Sequence, residues 1–103
     1  MGGATAVALA QVLRDLARTH QVIVVTHLAQ VAVMADRHYL VHKVSGAAGT
    51  PPETKIDEVA GDDRVAEIAR MLSGDTGEAS LAHAREMLEH AGNSNGGDSD
   101  GTR

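Results

Sequence analysis

Along residues 22–36, VIVVTHLAQVAVMAD, the spacing of apolar positions changes once. Residues 22–25 are a continuous β-branched run, the pattern of a strand buried on both faces, as in a parallel sheet. From there Leu28, Val31, Ala32 and Ala35 recur at helical intervals, so a helix is expected over 28–35. Thr26 and His27 are the polar pair at the junction. In open α/β sheets ligands bind beyond the carboxyl ends of the strands, which makes this junction the first place to look for chemistry.

Upstream, Leu9, Val12, Leu13 and Leu16 follow the i, i+3, i+4, i+7 pattern and predict a helix over 4–18 with that stripe buried. Residues 37–44, RHYLVHKV, alternate: Tyr39, Val41 and Lys43 share one face, and His38, Leu40, His42 and Val44 the other. That suits a partly exposed strand. A Gly-, Ala- and Pro-rich loop over 45–52 leads to a charged, alternating stretch over 53–59, which reads as an edge strand pairing back as a hairpin. Gly61, Asp62 and Asp63 open another helix with acids near its positive end. Its stripe is Val65, Ile68, Ala69 and Leu72, and Ser73-Gly74 ends it. Asp75-Thr76 can cap a last helix over 77–90, with stripe Leu81, Ala84 and Leu88. Residues 92–103 carry no apolar side chain and are expected to be a disordered tail.

Composition narrows the picture. With 103 residues there is room for one small domain. One Tyr and no Phe or Trp leave a core of Val, Leu, Ile, Ala and Met, and Ala contributes little apolar area. A weakly stable domain, or one that packs on something larger, is expected. The net charge of -5 gives no overall basic field for nucleic acid. The absence of Cys excludes disulfides and thiolate metal sites. Neither a signal peptide nor a membrane-spanning run is evident, so the expectation is a soluble, cytoplasmic protein with no membrane contact.

Three stretches together resemble the C-terminal end of the ATPase head of the RecN family, bacterial DNA repair proteins related to structural-maintenance-of-chromosomes (SMC) and ABC ATPases. They are 22–43 (VIVVTHLAQVAVMADRHYLVHK), 64–72 (RVAEIARML) and 80–88 (SLAHAREML). The opening MGGATAVALAQVL is similar to the helix that follows the family's Walker B and D-loop segment. The resemblance implies an α/β fold class over residues 1–91: the C-terminal lobe of a partial P-loop NTPase of ABC/SMC type, with a parallel strand, flanking helices and a short β-hairpin. It makes His27 the H-loop histidine that meets the γ-phosphate, catalytic and nucleotide-contacting, with Thr26 orienting the imidazole or capping the next helix. ATP and Mg2+ are implied for the complete protein. Implied partners are the rest of the head or a second head, and DNA through the complete protein, with nucleoid association during repair. The family often has Pro where this chain has Ala29, which implies a looser turn.

Other parts of such a head are missing. No G-x-x-x-x-G-K-[ST] phosphate loop occurs, no apolar strand ends in an acidic pair, and there is no signature loop or long coiled coil. The chain alone is therefore expected neither to bind nor to hydrolyse ATP. It is expected to be the last portion of a head, with Met1 within or just after the D-loop: a fragment, a split-gene product or a start placed late. The leading function is the C-terminal portion of an ATPase in recombinational repair of double-strand breaks. A module that docks on a separately encoded N-terminal half is the alternative, and a transport ATPase fragment fits the 64–72 and 80–88 stretches poorly.

Each residue also has a plainer reading. His27 suits a hydrogen-bonded turn histidine. His38 and His42 share a strand face and could join His27 around a metal, but no carboxylate is placed to complete the set. His83 and His90 read as helix-surface residues. Arg64, Arg70 and Arg85, amid Asp63, Glu67, Glu86 and Glu89, read as a salt-bridged, solvated face rather than a DNA contact. Met34, Met71 and Met87 suit core filling.

Overall fold

The computed structural model describes residues 2 and 4–92 in full, and Gly3 and 93–101 by their backbone alone. In chain order the elements are α1 (Gly3–Leu16), α2 (Ala29–Ala32), β1 (His38–Val44), β2 (Glu53–Val59), α3 (Gly61–Ser73) and α4 (Glu78–Gly101). The disordered tail expected over 92–103 falls, beyond Gly92, outside the residues described in full.

The core sits where α2, α3 and α4 meet. Ala29, Ala32, Val33, Ile68, Ala69, Ala84 and Ala91 are buried there. Val65, Leu72, Leu81 and Leu88 pack around them, as do Met34, Met71 and Met87. The stripes expected on the last two helices are thus the faces that α3 and α4 turn inward. Ile68 is the largest side chain with no exposure at all. Small alanines let the helices approach closely, and flexible methionines fill the remaining gaps.

The α3–α4 turn follows from local chemistry. Gly74, at φ 80°, closes α3 in the left-handed conformation, and its N–H donates to the Arg70 carbonyl. The Asp75 carboxylate then accepts from the Gly77 N–H at 3.0 Å and from the Ser80 hydroxyl at 2.9 Å. Those donors stabilise its charged form, so its pKa lies below the ordinary aspartate value.

β1 and β2 form the expected hairpin, antiparallel, with His38 opposite Val59 and Val44 opposite Glu53. Val41 faces Ile56 across the ladder, and both remain exposed. Arg37 grips Glu58 through two bonds of 2.9 and 2.8 Å and lies over the Tyr39 ring.

Two expectations need correction. The run at 22–25 is not a strand among the described residues: the sheet contains β1 and β2 only. β-branched residues favour a strand, but a strand exists only through bonds to a neighbour, and none lies beside this run. The parallel strand of the expected architecture is therefore absent here, while the mixed helix and hairpin composition agrees with an α/β class. In α1, the buried residues are Ala6 and Ala10, whereas Leu9, Val12 and Leu16 are exposed. The small residues are turned inward, Leu13 of the expected stripe is half-buried, and the rest of that stripe points to solvent.

Candidate functional site

The junction at 26–27 is built locally. The Thr26 hydroxyl accepts the Leu28 N–H at 3.0 Å, folding the backbone into a turn just ahead of α2. The bond sets the turn before α2 and leaves the first N–H groups of the helix uncapped by any side chain. Leu28 is the N-cap residue and contributes no side-chain bond. α2 itself is a single turn, shorter than the helix expected over 28–35.

His27 is exposed, and among the described residues no group hydrogen-bonds its ring. It is a free donor mounted on a fixed turn. Before it, Ile23 and Val25 are 84% and 97% exposed, the most solvent-facing large apolar side chains described. An apolar run so placed is the pattern of an uncovered contact surface.

The far end of α2 is held by two arginines. Arg64, from α3, donates to the carbonyls of Ala32 at 3.2 Å and Ala35 at 2.7 Å. Arg14, from α1, donates to the Met34 carbonyl and pairs with Asp36 at 3.5 Å. Partial burial lowers the pKa of Arg64, with Arg14 adding repulsion and Asp36 opposing both. A cavity of about 380 Å³ opens among Arg14, Asp36, Arg64 and Leu88, and neither Thr26 nor His27 lines it.

Arg64 was expected on a solvated face, and the structure corrects that reading. It is half-buried and bonded to backbone, while Arg70 does pair with Glu67 one turn along α3. Sequence reasoning missed the clamp because a carbonyl acceptor has no side-chain signature. The helical phase was the available signal: Arg64 neighbours Val65 and Ile68 at the edge of the buried stripe.

The histidines do not converge. His42 Nε2 lies 2.7 Å from Asp57 Oδ2, and His38 is half-buried near Arg64 and Glu67. Burial, then Arg64, lowers the His38 pKa. Among the described residues no group of three or more His, Cys, Asp or Glu side chains is arranged to hold a metal ion. His83 and His90 are exposed, as expected of surface positions. No described helix is long and apolar enough to cross a membrane.

No family model matches the chain. It is 52% identical over 88 residues to the DNA repair protein RecN of Deinococcus radiodurans, covering 85% of this chain and 15% of that protein. It is 52% identical over 92 residues to the DNA repair protein RecN of Mycobacterium leprae, with 88% and 15% covered. Against the same protein of Streptomyces coelicolor it is 47% identical over 92 residues, with 88% and 16% covered. The chain thus spans about 15% of the length of the curated relatives it matches.

Proposed function

Starting from a chain that is RecN-like over 85–90% of its length, we propose that it forms the C-terminal portion of an ABC/SMC-type ATPase head. That head acts in recombinational repair of DNA double-strand breaks, in the cytoplasm and at the nucleoid. His27 is its H-loop histidine. The observation that carries the reading is the 22–27 junction: a free imidazole on a fixed turn, directly after a β-branched run whose side chains stand in solvent. A strand whose sheet neighbours lie in the rest of a longer protein would look this way.

ATP and Mg2+ are the cofactors such a head implies. The residues here fit one contact to a polyphosphate and not a whole site. His27 offers a donor, the Thr26 hydroxyl is occupied by the Leu28 N–H, and no phosphate loop is present. Bound Mg2+ and ATP would supply the transferable phosphoryl group; His27 would supply a preorganised donor toward its oxygens. Phosphate binding, and a second head or DNA, belong to the remainder of the protein.

His27→Ala in a complete RecN-like protein carrying this sequence tests the reading. Losing one such donor costs about 3–4 kcal/mol at the transition state, a hundredfold or more in turnover. Nucleotide affinity should change far less, because that contact matters most as charge redistributes. Turnover at the parental rate would return His27 to a turn histidine.

The exposed run also favours a second reading, a non-enzymatic module that docks on a separately encoded N-terminal half. Co-expression of that half, with and without this chain, separates the two: the module would leave its ATP turnover unchanged on binding.

A further inference from the structure

We propose that Arg14 and Arg64 are positioning residues for His27, holding α2 from two different helices so that the turn ahead of it keeps one geometry. The inference rests on the H-loop reading for its functional consequence, but the clamp itself stands on contacts within this chain. α2 comprises Ala29–Ala32, too short to hold itself in water. The Ala32 carbonyl accepts the Ala35 N–H at 3.2 Å and has a second lone pair to offer, while the Met34 and Ala35 carbonyls lie just past the helix end. The guanidinium of Arg64 takes two of the carbonyls there, on Ala32 and Ala35, and that of Arg14 takes the one on Met34. Positive charge at this end also complements the helix dipole.

The bonds link elements far apart in sequence. Arg14 lies in α1 and Arg64 in α3, with α2 between them. At the other end of α2 the only side-chain bond described is Thr26 to Leu28. Ala29, Val31, Ala32 and Val33 are buried, so α2 stays seated in the core and any looseness at its ends takes the form of a pivot about those side chains. His27 precedes this buried turn by two residues. Loosening the C-terminal end lets the whole turn rock about its buried side chains, carrying the imidazole with it.

Backbone hydrogen exchange on this chain reads the clamp without any nucleotide. The amides to follow are Val31 and Ala32, bonded to the Leu28 carbonyl, Val33, bonded to Ala29, and Met34, bonded to Val31. Arg64→Ala should speed their exchange on the order of tenfold while the α3 and α4 core amides keep theirs. Arg14→Ala, which removes the Met34 bond and the Asp36 ion pair but leaves both Arg64 bonds, should give the same local pattern more weakly and serves if Arg64→Ala fails to fold. Uniform acceleration, or none, would overturn the proposal, because a merely stabilising residue moves all amides together.

The functional arm uses a complete RecN-like protein with this sequence. Arg64→Ala should lower ATP turnover with little change in KM, and should have no further effect once His27 is Ala. An equal loss in both backgrounds would show that Arg64 does not act through His27. If exchange is local but His27→Ala itself leaves turnover intact, the H-loop reading fails while the clamp stands.

Discussion

Replacing Ile68 by Ala probes the core most directly. Ile68 has no exposed surface and is ringed by Ala69, Ala84 and half-buried methionines. The substitution removes the three carbons beyond Cβ, a transfer loss of about 2.4 kcal/mol. A cavity term adds to this, and unbranched Met34, Met71 and Met87 can slide inward to reduce it. The expected total is about 3 kcal/mol, inside the range of roughly 2–5 kcal/mol for such truncations. For a domain of this size that corresponds to a fall in Tm of about 12–24 °C. Urea titration followed by far-ultraviolet circular dichroism gives the energy, and a thermal scan gives Tm. Val41→Ala on the hairpin, where the side chain is 60% exposed, is the control and should cost under about 1 kcal/mol. A loss below about 1 kcal/mol for Ile68→Ala, or one equal to the control, would refute the placement of the core at the α2–α3–α4 junction.

Three further outcomes follow from the same contacts. Val25→Asp should leave the stability of this chain nearly unchanged, since Val25 is 97% exposed, yet disrupt folding of a complete RecN-like protein; thermal scans of both forms check the contrast. Because His38 is held below its ordinary pKa of 6.5, the folded state binds fewer protons than the unfolded one between the two values. Stability should therefore be level above about pH 6.5 and fall as pH drops toward the folded value, and His38→Gln should flatten that fall in urea titrations. Isothermal calorimetry of this chain with ATP should register no specific binding, and a micromolar affinity would show that a phosphate site exists without a phosphate loop.

The hydrophobic pattern determined the phases of α3 and α4 and the hairpin. Each depends on local information: Val65, Ile68, Ala69 and Leu72 repeat at the helical period, β1 and β2 alternate, and Gly74 ends α3 because it adopts the left-handed conformation without strain. Tertiary structure decided what the pattern could not. Leu9, Val12 and Leu16 looked like the buried face of α1, yet Ala6 and Ala10 are the residues turned inward, where small side chains permit close approach of the helix. The run at 22–25 had strand composition, but a strand is a relation between two segments, and no second segment lies beside it among the described residues. Arg64 looked like a solvated charge, and its carbonyl acceptors on Ala32 and Ala35 are twenty-nine or more positions away. Apolar periodicity records which side chains avoid water; which surface covers them, and which backbone oxygen waits for a guanidinium, is settled only when distant elements meet.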